Sequence, residues 1–209
     1  LLRLLLDPRS QLQRGNLQYF SEPVERQSAA DLRAAGVAVF PEDRLREALL
    51  LDQNLTNNFI LGRQRSLNFR RGGIFLSETK ARAAALSAVQ TYDVRPGRVD
   101  GNARELSGGN QQKLVVAREL QGNPRLLFAS QPTRGVDIGA VEFIHGKIVQ
   151  LRDSGAGVLL ISSELDEVLK LSDRLLVLYR GRVVGSFERK DFDEKLIGPL
   201  MAGGTGEAR

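Results

Sequence analysis

Cysteine is absent from this chain of 209 residues, and histidine occurs once. Without cysteine, neither disulfide bonds nor thiolate metal sites can form. His145 flanks the apolar face of a predicted helix, which is typical of a packed or surface histidine rather than a catalytic one. Because compact acidic ligand loops are also missing, the sequence predicts no metal site built from protein ligands alone.

Long apolar runs are missing as well, and all of them fall far short of the roughly 20 residues that span a bilayer. What is present, 42% hydrophobic and 26% charged residues, is ordinary for a globular protein. The net charge of +5 admits nucleic acid or acidic membrane surfaces as partners. Basic residues are scattered, however, with the densest group at Phe69–Gly73. We therefore expect a solvated basic surface and no nucleic-acid partner.

The second half of the chain alternates between predicted strands and helices. Arg125–Ala129 and Gly157–Ser162 are apolar runs typical of strands buried on both faces. An amphipathic helix is predicted over Ala140–Asp153, and Ser163–Leu171 begins with serine before acids, as a helix start does. Two last strands are predicted as a terminal pair, Arg174–Tyr179 and Arg182–Phe187. This order predicts an α/β layer with parallel strands.

The first half is less regular. Leu1–Leu6 is typical of the end of a helix, and Leu17–Phe20 and Gly36–Phe40 are strand candidates. Helices are predicted over Asn54–Leu61 and Ser77–Tyr92, with an Arg- and Gly-rich loop between them. These features indicate a mostly helical subdomain inserted into the α/β core.

The stretch with the most chemistry is LSGGNQQKLVVAREL, Leu106–Leu120. Ser107 is placed to cap a helix, and Gly108 and Gly109 carry no side chain that would hold a ligand away from the backbone amides. Exposed N–H groups, a serine hydroxyl and the positive end of a helix dipole together favour a bound phosphate. An ordinary capped helix after a glycine turn has the same local pattern.

Three spaced motifs resemble those of ATP-binding cassette (ABC) ATPases. LSGGNQQK resembles the signature motif in the form found in importers of simple sugars and nucleosides. QPTRGVD, Gln131–Asp137, resembles the turn after the Walker B strand, and FPEDR, Phe40–Arg44, resembles the segment where the Q-loop enters the helical subdomain. Their order and spacing match the family, and the resemblance runs from near Leu1 to about Glu188.

The resemblance implies a fold class: an α/β, P-loop NTPase-like ABC ATPase core with an inserted, mostly helical signature subdomain. It divides the chain into a partial N-terminal part of the core (1–42), the helical subdomain (43–120), the C-terminal part of the core (121–190) and a flexible tail (191–209). Within the subdomain, Arg44 to Phe75 corresponds to the region that faces the coupling helix of the membrane subunit.

The resemblance also implies how ATP is bound. ABC dimers hold ATP between the phosphate loop and Walker B strand of one cassette and the signature of the other. The residues that it assigns to ATP are Ser107, Gly108, Gly109, Asn110 and Gln111. Asp137 matches the D-loop aspartate at the interface between cassettes, although a plain turn aspartate fits the local sequence nearly as well.

The sequence departs from the family at the positions of chemistry. Ser130 stands at the Walker B aspartate, Gln131 at the catalytic glutamate and Ser163 at the switch histidine, while Glu42 occupies the usual Q-loop glutamine position. A neutral amide cannot act as a general base, and losing a positioned base costs about 10²–10⁴ in rate. We therefore expect no intact catalytic residue. The pair Ser130 and Gln131 is similar to the form found at these two positions in the nucleoside-uptake branch of the family.

No phosphate loop of the form GxxxxGK[ST] occurs in the sequence. In the family this loop directly precedes the helix that Leu1–Leu6 is expected to end. We therefore expect the sequence to be a piece of a longer protein, beginning just after its own phosphate loop.

The intact and degenerate motifs belong to different halves of the ATP site. The resulting hypothesis is that this chain is a second cassette that completes the active site of a partner cassette. ATP and Mg²⁺ would then be bound mainly with the partner, while the chain's own nucleotide site is weak or silent. The expected partners are an N-terminal cassette of the same polypeptide, transmembrane permease subunits and, indirectly, an extracytoplasmic substrate-binding protein. The expected place is the cytoplasmic face of the cell membrane.

Two other classes remain open at this point. Chromosome-maintenance and repair ATPases share a Ser-Gly-Gly signature, but residues 43–104 have neither the length nor the heptads of their coiled coils. A catalytically silent regulatory or interaction module derived from an ABC ATPase is the second alternative.

Overall fold

The computed structural model describes residues 2–7, 14–24, 27–72 and 74–204. The chain divides into two compact units, Leu1–Leu159 and Leu160–Arg209. No helix in the described ranges is long and apolar enough to cross a membrane. Gly73 and the last five residues of the expected tail lie outside the description.

The first unit begins with a small cluster of apolar side chains. Tyr19 packs its ring against Phe128, with centroids 5.5 Å apart, and donates a hydrogen bond from its hydroxyl to the Leu5 carbonyl at 2.7 Å. Burial raises the pKa of Tyr19 to about 12 because the phenolate would lose water. Residues of α1 (Leu2–Leu6), β1 (Gln18–Tyr19), α2 (Ala29–Ala34) and β3 (Val37–Phe40) belong to this cluster. Strand β2 (Glu22–Pro23) is exposed and pairs with β1.

The predicted helical subdomain follows, entered through a π-helical turn at Arg44–Ala48. Both predicted helices are confirmed within a residue at each end, as α3 (Leu55–Ile60) and α4 (Glu78–Thr91). The loop expected between them instead contains a 3-10 turn, Leu67–Phe69, and an antiparallel hairpin of β4 (Arg70–Arg71) and β5 (Phe75–Leu76). Glycine and arginine content predicted a loop, but short cross-strand pairing gives no periodic signal over two residues.

A buried amide organises the start of this subdomain. Asn58 is fully buried, and its side-chain nitrogen donates to the carbonyls of Leu50, Gln53 and Asn54 at 2.9, 3.1 and 3.0 Å. Its side-chain oxygen accepts from Leu50 N at 2.8 Å. All of its polar atoms are thereby paired, so its burial fixes the irregular segment that leads into α3.

The sheet of the core has the strand order β3, β6 (Leu126–Ser130) and β7 (Gly157–Ile161). Along the chain, the signature helix α5 (Gly108–Leu120) precedes β6, and α6 (Ile138–Asp153) connects β6 to β7. Strands β3 and β6 are parallel, as predicted, with Val37 opposite Leu126 and Phe40 opposite Ala129. The prediction of a fully buried strand at residues 157–162 is wrong. Leu159 is 37% exposed, because β7 is the end strand of the described sheet.

The second unit is built on an antiparallel pair, β8 (Arg174–Tyr179) and β9 (Arg182–Glu188), preceded by α7 (Leu165–Leu171). The pair was predicted, including its Arg-Gly turn, where Arg180 and Gly181 both take positive φ as hairpin turns require. The expected serine cap of α7 is wrong: the N-cap is Glu164, and it makes no side-chain cap bond.

The segment expected to be a flexible tail differs from the prediction over its described part. Residues 194–201 form α8 (Glu194–Met201), and Ile197 and Leu200 pack with Leu175 and Val177 in the core of this unit. The error arises because a mostly charged stretch, residues 188–195, precedes Leu196, so the amphipathic pattern is short. The other expected boundaries, at residues 42 and 120, stay predictions.

A buried group of charges joins the helical subdomain to the core. The Arg118 guanidinium donates to Glu119 Oε1 at 2.8 Å and to the carbonyls of Ala48 and Asn58 at 2.7 and 3.2 Å. Glu119 is 1% exposed and also lies 3.9 Å from the guanidinium of Arg33. The Glu119 carboxylate therefore neutralises the guanidinium groups of both Arg118 and Arg33 in a buried environment. Its removal would leave buried positive charge without a partner.

We predict that Glu119→Gln lowers the free energy of unfolding by about 3–5 kcal/mol, the cost of breaking a buried ion pair. The change leaves Arg118 and Arg33 without their shared carboxylate. Asp100→Asn is the matched control, because Asp100 pairs with Arg82 at a fully exposed site. Urea denaturation measures both. An equally small effect of the two substitutions would contradict the prediction.

Candidate functional site

Ser107 caps the signature helix α5, as predicted. Its hydroxyl oxygen accepts hydrogen bonds from the Asn110 backbone at 3.4 Å and from the Asn110 side-chain nitrogen at 2.9 Å. Asn110 Oδ1 in turn accepts from Arg95 N at 2.7 Å. A serine hydroxyl has two acceptor sites and one proton to donate. Since both acceptor sites are used, the Ser107 proton is left to donate to a ligand at the start of the helix.

Gly108 and Gly109 are required by the protein itself and not only by a ligand. A Cβ at Gly108 would lie 2.7 Å from Arg44 Nη2 and 3.0 Å from the Gly135 carbonyl. One at Gly109 would lie 2.5 Å from Asp137 Oδ2. The first turn of α5 therefore packs directly against the residues that follow β6, and a larger residue would push the two segments apart.

The turn after β6 is held by residues of the FPEDR segment. Arg44 donates to the Arg134 carbonyl at 2.8 Å and to the Gly135 carbonyl at 3.2 Å. Arg134 donates to Glu42 Oε1 at 3.0 Å. The three sequence motifs thus meet at one place. Sequence reasoning singled out Glu42 but missed Arg44, whose only signal was its place in the motif.

The remaining predicted residues are placed as follows. Ser130 is buried at the end of β6, and Gln131 follows it with a φ of +47°. Asp137 caps α6, accepting from Ala140 N at 2.9 Å. Ser163 is exposed and lies in the second unit. None of the positions expected to hold catalytic acids carries a carboxylate.

Gln111 does not face the proposed ligand. Its side chain is 8% exposed, and its nitrogen donates to the Ala103 carbonyl at 3.3 Å. Gln112 is also turned inward and donates to the Pro132 carbonyl at 2.8 Å. The two glutamines stabilise the position of α5, so the structure gives no support to an ATP contact by the Gln111 side chain.

A cavity of about 330 Å³ opens beside the first turn of α5. Two cations and two carboxylates line it together with the backbone of Gly109 and Gly139; the charged residues are Asp93, Arg95, Lys113 and Asp137. Its polar lining and its position at a helix N-terminus suit a charged ligand. Sequence reasoning missed Asp93, Arg95 and Lys113, because only folding brings residues 93–95 next to α5.

Asp93 is the centre of the charges on this cavity. Arg95 Nε lies 2.7 Å from Asp93 Oδ1, and Lys113 Nζ lies 3.2 Å from Oδ2. Hydrogen bonds from Arg95 and then from Lys113 lower the pKa of Asp93 below its ordinary range. Lys113 also lies 4.9 Å from the centre of the Phe143 ring. The two cations are thereby held in fixed places beside Asn110.

Taken together, the site has fixed donors for an anion, and the positions expected to hold catalytic acids carry no carboxylate. The hydroxyl of Ser107, the amides at the start of α5 and the two cations stabilise negative charge. Gln131 is a neutral amide and cannot activate a nucleophile. This arrangement is suited to holding a ligand that carries phosphate groups.

Comparisons with known proteins give the family and the fold of the chain. The sequence profile described as ABC transporter matches residues 1–134, and the chain therefore belongs to the ABC transporter family. A nucleotide-free ATP-binding cassette of an ABC transporter superposes with a TM-score of 0.71 at 21% identity, over 90% of this chain and 74% of the other. That similarity confirms the predicted α/β cassette fold, and at this identity it shows the fold alone.

Several curated proteins similar to this chain are named as import ATP-binding proteins. The guanosine import ATP-binding protein NupO of Bacillus subtilis is 38% identical over 191 residues, which are 91% of this chain and 37% of that protein. The glucose import ATP-binding protein TsgD13 of Haloferax volcanii is 44% identical over 171 residues, 81% of this chain and 31% of that protein. The chain thus spans less than half the length of these relatives.

We predict opposite effects for two helical Gly→Ala substitutions. Gly109→Ala places a methyl group against Asp137 and disturbs its cap on α6, so we expect a loss of about 1 kcal/mol, the usual size of a lost N-cap. Gly146 lies in α6 with nothing within 4 Å of an added Cβ. Gly146→Ala should stabilise the protein by about 0.5–1 kcal/mol. Urea denaturation compares them, and equal signs would refute the close packing at Gly109.

A second prediction concerns the pH dependence of Asp93. Because its pKa is lowered in the folded state, its stabilising contribution is complete above the ordinary aspartate pKa and disappears as the pH falls through the lowered value. Lys113→Met should raise the pKa of Asp93 towards its ordinary range. Carboxyl-carbon NMR titration measures this, with Lys147→Met as control on the neighbouring helix. An unchanged Asp93 titration in Lys113→Met would contradict the assignment.

Proposed function

We propose that this chain is the second ATP-binding cassette of an importer for nucleosides or simple sugars. It supplies Ser107, Gly108, Gly109 and Asn110 to ATP bound by a partner cassette, while its own nucleotide site is degenerate. The observation that carries the proposal is the contrast between two sets of positions. The donors at the start of α5 are fully arranged, whereas Ser130 and Gln131 offer no carboxylate.

The choice of cargo rests on the relatives and on the pattern of the degenerate pair. NupO and TsgD13 are named as guanosine and glucose import proteins, which supports nucleosides and simple sugars as the substrate class. Their greater length supports an N-terminal cassette on the same polypeptide as the partner. The proposal also includes permease subunits and an extracytoplasmic substrate-binding protein as partners. It places the protein at the cytoplasmic face of the membrane.

Mg²⁺ accompanies ATP in such a site, and the residues of this chain do not fit it. The hydroxyl of Ser130 and the amide of Gln131 stand where hard carboxylate ligands are needed. No group of three potential metal ligands occurs among the described residues. We therefore propose that Mg²⁺ belongs to the partner's half of the composite site, with this chain contributing only donors to the phosphates.

The test is a pair of substitutions in the complete protein that contains this chain. Ser107→Arg fills the start of α5 and should lower transport-coupled ATP hydrolysis at least tenfold, since one preorganised donor is worth about 10²–10³ in rate. Ser130→Ala should change the rate less than about twofold, because a site without its general base has little rate to lose. Phosphate release in the assembled transporter measures both.

Ser87→Arg is the matched control for the new arginine, because Ser87 is exposed on α4, away from the helix start. Equal losses of ATP hydrolysis from Ser107→Arg and Ser130→Ala would contradict the proposal that the signature serves ATP while the chain's own site is degenerate. Unchanged hydrolysis in Ser107→Arg would favour the silent regulatory module, since the signature would then not serve any ATP.

A further inference from the structure

The segment Asp93–Arg95, which follows α4, lies against the first turn of the signature helix. Arg95 N donates to Asn110 Oδ1 at 2.7 Å, and Asn110 Nδ2 donates to Ser107 Oγ at 2.9 Å. Val94 is 2% exposed, and its N–H donates to a carbonyl of α4 at 2.9 Å. Buried packing and the hydrogen bond to Asn110 together fix the backbone of Arg95 beside the start of α5.

One of the two cations that Asp93 holds is fully engaged in packing. Lys113 Nζ donates to the Asp93 carbonyl at 3.1 Å and to Asp93 Oδ2 at 3.2 Å, and the Lys113 side chain is only 14% exposed. Its ammonium also lies 4.9 Å from the centre of the Phe143 ring. These contacts give Lys113 a structural role, because they join α5 to the segment after α4 and to α6.

The other cation, Arg95, is held through a single donor. Its Nε donates to Asp93 Oδ1 at 2.7 Å, while the side chain is 78% exposed. A guanidinium carries five N–H groups, so the bond to Asp93 uses one and leaves the four on the terminal nitrogens for other acceptors. This planar fork matches the spacing of two phosphate oxygens.

The charges on the cavity also favour an anion beside Arg95. Asp93 shares one negative charge between Arg95 and Lys113, so this cluster keeps one positive charge in excess. Asp137, the other carboxylate on the cavity, caps α6 by accepting from Ala140 N at 2.9 Å. The positive end of that helix stabilises the Asp137 charge. The excess positive charge therefore belongs to the cluster around Asp93.

We propose that Arg95 binds a phosphate group of the nucleotide at the start of α5, with Asp93 as the positioning residue that fixes its guanidinium. The inference rests on the proposed function, because it takes Ser107 to serve ATP. Ser107 and the backbone amides are neutral donors, and a hydrogen bond from a charged donor is about twice as strong. The two cations thus have separate roles: Arg95 contacts the substrate, and Lys113 stabilises the site.

The experiment is steady-state ATP hydrolysis by the complete protein assembled with its permease subunits. Arg95→Gln should raise the KM for ATP about tenfold, the smaller end of the range for a hydrogen bond to a charged group, because the side chain is exposed. The kcat should change less than about twofold, since a contact made equally before and in the transition state affects binding alone. Arg95→Lys keeps a point charge and should bring the KM back to within about threefold of the unchanged protein.

A double-mutant cycle tests the positioning role of Asp93. Asp93→Asn should raise the KM for ATP about threefold, because the guanidinium of Arg95 loses its charged partner but keeps its own charge. Combined with Arg95→Gln, Asp93→Asn should raise the KM no further, since both substitutions remove the same contact. Additive increases in KM would show that Asp93 acts independently of Arg95 and would contradict its positioning role.

Arg98→Gln is the matched control for Arg95→Gln. The Arg98 side chain is 75% exposed and pairs with Glu105 at 3.2 Å, but it does not line the cavity. Its loss should leave the KM for ATP within about twofold, as for other exposed ion pairs.

Two results would overturn the inference alone. They are an unchanged KM in Arg95→Gln while Ser107→Arg lowers hydrolysis, and a lower kcat at an unchanged KM, which would assign Arg95 to a protein contact. Unchanged hydrolysis in Ser107→Arg would instead refute the proposed function, and the inference with it.

Discussion

The arrangement depends on the guanidinium of Arg44 lying between the signature helix and the turn after β6. Arg44 donates to the carbonyls of Arg134 and Gly135 and lies so close to Gly108 that a methyl group there would collide with it. The FPEDR segment, the turn after β6 and the start of α5 therefore cannot move independently.

This constraint explains why the first turn of α5 and the turn after β6 are held in fixed positions. The donors at the start of α5 are fixed by Ser107 and Asn110, and the turn that follows β6 is fixed by Arg44 and by Gln112. None of these contacts uses the positions held by Ser130 and Gln131.

Much of the fold was predictable, and the errors have physical causes. The helices α3, α4 and α5 were predicted, α5 with its serine cap, because helical patterns and caps are local signals. The exposure of Leu159 was not predictable, because an apolar strand has the same sequence whether or not a neighbour covers it. The helix containing Ile197 was missed because its apolar positions are few, and the β4–β5 hairpin because two-residue strands carry no period.

The candidate site divides in the same way. The sequence by itself determined the donors and the missing acids, since Ser107, Gly109 and Gln131 are defined by their chemistry and by their place in motifs. Only the tertiary structure decided that Gly109 meets Asp137 and that Asp93 holds Lys113. Those contacts join residues far apart along the chain, and no local pattern encodes them. Their energies depend on distances of a few ångströms, which exist only once the helices and the sheet have packed.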